Sequence, residues 1–353
     1  MPAADDPGVP PVTAALAIRR YDPELGDEAR WQRYEIEMPA GSTVLEALMY
    51  VQEHVDGSLA FRRSCRHAIC GSCGMRINGC ARLACNTQLT AVVAEAERRA
   101  ARRSAAATSG DDDAALAGAA VRIEPLGNMP VIRDLVTDMT VFWEKLRSVQ
   151  PWLQSLDDRA DADGERLMTP HQYAVIAQGL LCVECGACYS DCIAVEAAPE
   201  FVGPTSLVKA YRYAYDVRDD QAHRRLHDLA GEHGMWECTH CYVCTQRCPK
   251  HLRVRELIGR LSELAQVEGL CSDAAVKRSQ AFVAGIEQSG RVDERTLAEK
   301  AGAVRGGVSA ALPAPVSEML RGGAREPISD VDLVRRVAGR LRGPGSTGAE
   351  GAP

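Results

Sequence analysis

The chain has no run of 18 or more apolar residues, so no segment of it is expected to cross a membrane as a helix. It has no excess of basic charge either. Its 41 Lys and Arg stand against 48 Asp and Glu, a formal net charge of −7, which argues against a nucleic-acid partner. Aromatic residues are few, at 5%. The N-terminal stretch "MPAADDPGVPPV" lacks the basic region and apolar core of an export signal. The chain is therefore expected to stay in the cytoplasm unless a partner carries it elsewhere. No G-x-G-x-x-G follows a strand-like run, so no dinucleotide is expected to bind. No nucleophile or acid–base constellation stands out, and no residue is expected to be catalytic.

What the chain does have is sulfur. Of its 14 cysteines, 12 fall into three tight groups. Without an export signal, clustered thiols point to metal rather than disulfides. The remaining content, 46% hydrophobic and 25% charged over 353 residues, suits two or three modest globular domains.

The periodicity divides the chain. Residues 1–13 read as a disordered tail. "TAALAIRRYDPE" and "RWQRYEIEMP" alternate as strands about a turn at Gly26, predicting a β-hairpin. "GSTVLEALMYVQEHV" predicts a helix capped by Ser42 or Thr43. After the first Cys group, residues 91–120 are rich in Ala, Arg and Asp and read as a solvated low-complexity insertion, a frayed helix and then a loop. "VRIEPL" predicts a strand. From 128 onward the pattern turns helical: "PVIRDLVTDMTVFWEKLRSVQPWL", "TPHQYAVIAQGLL", "GPTSLVKAYRYAYDV", "HRRLHDLAGEHG" and "RVRELIGRLSELAQVEG". Residues 266–353 read as a helical extension ending in a flexible tail.

The first Cys group runs Cys65, Cys70, Cys73 as C-x4-C-x2-C, with eleven residues separating Cys73 from Cys85. This is the plant-type ferredoxin pattern for a 2Fe–2S cluster; zinc is the competing metal, although the spacing is unusual for it. Gly71 and Gly74 are expected to let the backbone approach the cluster. Cys80 is a fifth thiol in that loop and reads as a spare. The second group, Cys182, Cys185, Cys188 and Cys192, and the third, Cys238, Cys241, Cys244 and Cys248, both run C-x2-C-x2-C-x3-C. That is the two-cluster bacterial ferredoxin run, in which the fourth Cys of each run serves the other cluster. The spacing assigns Cys182, Cys185, Cys188 and Cys248 to one 4Fe–4S cluster, and Cys192, Cys238, Cys241 and Cys244 to a further cluster. Three one-electron centres and no substrate site describe an electron relay between redox sites on partners. Cys271 is a lone thiol. His240 reads as an ordinary surface histidine or a polar contact.

Together "SCRHAICGSCGMRING", "PLGNMPVIRDLVTDM", "GPTSLVKAYRYAYDVRD" and the two Cys runs resemble the iron–sulfur subunit of succinate dehydrogenase / fumarate reductase over about residues 14–265. The resemblance implies an α+β chain. A β-grasp 2Fe–2S ferredoxin-like domain (14–127) precedes an all-helical two-cluster ferredoxin domain (128–265) and the extension. It implies a flavoprotein partner with FAD, a membrane anchor, quinone as the electron partner, and a peripheral place on the cytoplasmic side of the cell membrane. Common members of that family have a non-Cys residue at the position of Cys241 and hold 3Fe–4S there. Cys241 therefore implies a third cluster of 4Fe–4S type, with 3Fe–4S as the alternative. Common members also have Pro and then tryptophans after the position of Cys192. Here "IAVEAAPE" follows, and no quinone site is carried over. The tail "RSQAFVAGIEQSGRV" and "PVSEMLRGG" resembles heterodisulfide-reductase small subunits, whose relatives pair with an anchor of paired-cysteine CCG type in place of a haem/quinone anchor. The alternative role this implies is a subunit of a thiol- or heterodisulfide-linked fumarate reductase.

Overall fold

The computed structural model describes residues 10–26, 28–106, 119–155, 165–270, 284–288, 290 and 331–332. The chain forms two compact units, 1–268 and 269–353. In the second unit the described residues include one helical turn, 284–288. The rest of the predicted extension, with Cys271, lies outside the described residues, as do the tail 1–9 and residues 107–118.

The first unit opens with β1 (Val12–Arg20) and β2 (Arg30–Met38), an antiparallel pair in register Val12↔Met38 to Arg20↔Arg30. Alternation sends Leu16, Ile18, Tyr34 and Ile36 inward, as the period of two requires. β3 (Gly74–Ile77), β4 (Cys80–Leu83) and β5 (Val121–Glu124) complete a five-stranded sheet ordered β2-β1-β5-β3-β4, with β1 and β5 parallel. Helix α1 (Val44–Tyr50) starts at Thr43, whose hydroxyl accepts the Glu46 N–H while the Glu46 carboxylate accepts the Thr43 N–H. Such a cap contributes about 1 kcal/mol. Val44, Leu45, Ala47 and Leu48 of α1 join the core beneath the sheet.

Two stretches differ from the sequence expectation. The low-complexity segment begins as an 18-residue helix, α2 (Leu89–Ala106). Leu89, Val92 and Ala96 are buried in the same core, so three small or medium apolar residues at helical spacing suffice to seat it. Arg82 pairs with Glu95 at 3.0 Å, and Arg99 donates to the Asn78 carbonyl at 2.5 Å. The helix is therefore part of the domain, not an appendage. The second difference is "PVIRDLVTDM", which is not helical. It makes a small hairpin, β6 (Val131–Arg133) and β7 (Val136–Thr137), turned at Asp134 with φ +44°. Only then does α3 (Thr140–Ser148) begin. The tertiary reason is Asp134, whose carboxylate accepts from Arg20 and from the N–H groups of Tyr21 and Ala60.

The helical part is built around α7 (Pro204–Ala214), eight of whose residues are buried. Helices α3, α4 (Pro170–Leu180), α8 (Ala222–Ala230) and α10 (Val254–Val267) contact it. Three short helices, α5 (Ala187–Ser190), α6 (Ile193–Ala197) and α9 (Val243–Arg247), sit within or just after the Cys runs.

Candidate metal centres

The loop from Cys65 to Cys73 turns its amides toward sulfur. The N–H groups of His67, Ile69 and Cys70 lie 3.3–3.4 Å from Cys65 Sγ, that of Cys65 lies 3.5 Å from Cys70 Sγ, and that of Ala68 lies 3.3 Å from Cys85 Sγ. The Cys85 N–H is 3.5 Å from Cys73 Sγ. This turning requires left-handed backbone at Arg66 (φ +59°) and Ala68 (φ +55°). Each such residue costs about 1–3 kcal/mol, and the strain is maintained by the surrounding fold. Burial would raise the Cys70 thiol, but hydrogen bonds from Ser72 and Cys65 outweigh it and bring it down to about 6. Buried Cys73 is pushed up to about 12. Cys80 opens β4, and among the described residues no hydrogen bond reaches its sulfur.

The two later runs share one backbone path. In the second, Glu184 and Gly186 are left-handed, at φ +55° and +76°; in the third, His240 and Tyr242 are left-handed at +59° and +63°. The Glu184 N–H bonds to the Cys182 sulfur, and the His240 N–H to the Cys238 sulfur. Cys188 then sits in α5 and Cys244 in α9. Cys241 thus occupies in the third run the position Cys185 occupies in the second.

The eight thiols gather as two fours. One small cavity is lined by Cys182, Cys185, Cys188 and Cys248, with Thr205 and Leu252; another by Cys192, Cys238, Cys241 and Cys244, with Pro204 and Arg255. The last cysteine of each run has crossed to the other set, the exchange expected from the spacing. Thiols of one set raise one another: Cys248 acts on Cys182 and Cys185, and Cys241 acts on Cys192, Cys238 and Cys244. Burial is the larger cause, taking Cys185 up to about 11 and Cys244 up to about 12. Soft donors that burial holds protonated, Cys182, Cys185 and Cys188 in one set and Cys192, Cys238 and Cys244 in the other, become good ligands once a cationic iron core compensates their charge. Among the described residues, no three His, Cys, Asp or Glu side chains meet closely enough to hold a single metal ion. Four thiols about one small cavity are the donor set that a cubane iron–sulfur cluster takes.

The three thiol groups adjoin in order. A Cβ added at Gly71 would lie 2.9 Å from Cys185 Cα and Cβ, and one at Gly74 would lie 3.0 Å from the Cys185 carbonyl. These glycines therefore let the first loop lie against the second run. The second and third sets adjoin where Cys188 feels the charge of Cys244. Asp191 fastens the junction. Its carboxylate accepts from the Ala81 N–H at 3.1 Å and from Arg247 at 2.7 Å, and it pairs with Arg76 at 3.4 Å. Asn128 adds bonds to the carbonyls of Tyr189 and Cys192. Nothing in the sequence signals Asp191 beyond its place inside a Cys run. A second residue it did not reveal is Thr205, buried at the start of α7, with its hydroxyl 3.1 Å from Cys188 Sγ.

Residues 15–144 match the family described as a 2Fe-2S iron-sulfur cluster binding domain, and residues 178–252 match that of a 4Fe-4S dicluster domain. The chain is 38% identical over 235 residues to the fumarate reductase iron-sulfur subunit of Mycobacterium tuberculosis, spanning 67% of this chain and 85% of that protein. It is 35% identical over 237 residues to the Escherichia coli O6:H1 protein of the same name, spanning 67% and 86%. Among solved structures it resembles a chain of the Mycobacterium smegmatis Sdh1 complex in the apo form, with a TM-score of 0.60 and 26% identity, over 73% of this chain and 98% of that one.

Proposed function

The chain belongs to the family of fumarate reductase and succinate dehydrogenase iron–sulfur subunits, and from that premise we propose that it relays electrons between a flavoprotein partner carrying FAD, where succinate and fumarate interconvert, and quinone at a membrane anchor. The observation that carries the proposal is the unbroken series of three thiol groups, joined at Gly71–Cys185 and at Cys188–Cys244. Bound iron–sulfur clusters would supply one-electron carriers at those groups. Cys65, Cys70, Cys73 and Cys85 would hold the 2Fe–2S group, Cys182, Cys185, Cys188 and Cys248 a 4Fe–4S group, and Cys192, Cys238, Cys241 and Cys244 the third. The matching backbone of the two runs favours 4Fe–4S at the third, because Cys241 stands where Cys185 stands.

The chain's own residues orient and enclose. Amide N–H groups of His67, Ile69 and Cys70 donate to the Cys65 sulfur and fix its place in the loop. Exposed Ile69 and Cys70, among Arg62, Arg63 and Arg66, give the first loop an open face for the flavoprotein. No helix among the described residues is long and apolar enough to cross a membrane, which accords with peripheral attachment through a partner. Cys241 and the "IAVEAAPE" segment also favour a second reading, a thiol-linked fumarate reductase subunit with a CCG-type partner.

The test is to purify the chain with its partners and assay succinate–fumarate conversion with quinone and with dithiols. Turnover with quinone is expected; turnover with dithiols alone would replace the first reading by the second. Low-temperature EPR of the oxidised complex is expected to lack a stoichiometric 3Fe–4S signal, and such a signal would remove Cys241 from the third group.

A further inference from the structure

We propose that Arg255 sets the reduction potential of the third centre, by directing a charge-assisted hydrogen bond from its guanidinium into the cavity of Cys192, Cys238, Cys241 and Cys244. This rests on the reading of that cavity as an iron–sulfur site. Arg255 lines the cavity together with the four thiols. Its Nε is buried and has no hydrogen-bond partner. A buried donor left unpaired is unfavourable, and native structures rarely keep one without a reason. Thiolate or sulfide sulfur in the cavity is the acceptor that would complete it.

The side chain is held where it is by its neighbours. One turn along α10, Gly259 has no side chain, and a Cβ there would stand 2.6 Å from Arg255 Nη1. The guanidinium fills that place. On another side it lies 5.5 Å from the centroid of the Tyr242 ring, the residue after Cys241. The Arg255 N–H donates to Thr245 Oγ1 at 2.9 Å, tying the start of α10 to α9 and its ligand Cys244. Among the described residues no carboxylate ion-pairs with Arg255, so its charge is free to act on the cavity. The middle centre differs: Lys209 beside it is neutralised by Glu184 at 2.6 Å. The Cys238 thiol, raised by burial, is drawn back by the His240 amide and by Arg255.

The consequence is electrostatic. One-electron reduction adds one negative charge to the centre, and a fixed cation in a poorly polarisable site stabilises the reduced state. A fourth thiolate at Cys241 acts in the opposite sense, and Arg255 offsets it. No bond forms or breaks and no proton moves, because a guanidinium keeps its charge throughout the working pH range. The effect is therefore independent of pH, unlike that of a histidine or lysine in the same place.

The experiment is an EPR-monitored redox titration of the cluster-loaded complex, at two pH values, for the wild type, Arg255→Gln, Arg255→Lys and Gly259→Ala. The expected result is a lower midpoint for the third centre in Arg255→Gln, with the same shift at both pH values and the other two centres unmoved. Arg255→Lys is expected to recover most of the shift. Gly259→Ala, which keeps the cation but displaces it, is expected to fall between. An unmoved third centre in Arg255→Gln, or an equal shift of all three centres, overturns the proposal. Should Arg255→Gln fail to retain the third centre, Gly259→Ala decides alone, and an unmoved midpoint there overturns it. Absence of any third-centre signal in the wild type would instead defeat the reading of the cavity on which the proposal stands.

Discussion

At Thr205 a single buried hydroxyl meets the sulfur of Cys188. The residue is 2% exposed, and among the described residues Cys188 Sγ, at 3.1 Å, is the hydrogen-bond partner of its hydroxyl. Either atom could donate between a thiol and a hydroxyl, but once Cys188 is a thiolate ligand only the hydroxyl has a proton to give. A hydrogen bond to ligand sulfur stabilises the more negative, reduced state. Thr205→Val keeps the shape and removes the donor. It is expected to lower the midpoint of the middle centre and leave the first unchanged, as read by EPR redox titration; an unchanged middle centre would show the contact to be packing only. Thr205 and Arg255 share a property that kept them out of the sequence reading. The cysteines announce themselves by spacing within a few residues, and the structure gathers them in the fours that spacing implied. Thr205 lies 17 residues from Cys188, and Arg255 lies at the start of a helix that reads as ordinary amphipathic sequence. Only the fold brings either one to sulfur.

At the scale of elements, the strands and the capped helices were legible because their causes are local. Alternation set β1 and β2, and Thr169 with Pro170 and Gln172 set the start of α4 through a reciprocal cap. The β6–β7 hairpin was not legible, because Val131 and Ile132 suit a helix or a strand and the choice is made by Asp134 bonding to distant β1. Helix α2 is less legible because Ala and Arg conceal a narrow buried stripe. The contact between the first loop and the second run was hidden for the same reason as the hairpin. Its key position, Gly71, has φ +75° and backs on Cys185, so both its conformation and its space exclude a side chain. Gly71→Ala is expected to lower the thermal midpoint by several degrees and to slow reduction of the middle centre by the first, measured by rapid-freeze EPR. A variant with wild-type stability and wild-type transfer would show that the two loops do not depend on this approach.

Across the whole first unit, one buried knot joins segments far apart in sequence. Arg20 at the end of β1 bonds to Asp134 at 2.9 Å, Asp56 at 2.5 Å, Tyr34 at 2.5 Å and Ser58 at 2.8 Å. It thereby fixes the β6–β7 hairpin against the sheet. Removing one partner of such a network leaves another buried charge uncompensated, so its loss is felt well beyond the pair. The knot also carries a pH signature. Burial alone would raise Asp56, yet hydrogen bonds from Ser58, Tyr34 and Arg20 hold its carboxyl well below the ordinary range. Its stabilising effect is therefore full above the unfolded value, about 3.9, and is lost as pH falls through the folded one. Tyr34 is shifted the other way, raised first by burial and then by its bond to Asp56. Its contribution is full below the unfolded value, about 10, and declines as pH rises beyond it. The knot's contribution to the thermal midpoint is expected to be level between these limits and to fall on both sides. Asp56→Asn should lower the plateau and flatten the acid side. It will not remove that side, because Asp216, which burial would raise, is held low by Arg218 and Arg212 and acts there too. Tyr34→Phe should flatten the alkaline side alone. Thermal denaturation from pH 3 to 11 separates the two variants, and an acid limb equally steep in Asp56→Asn and the wild type would mean that the knot contributes no proton linkage and that the hairpin is held by packing.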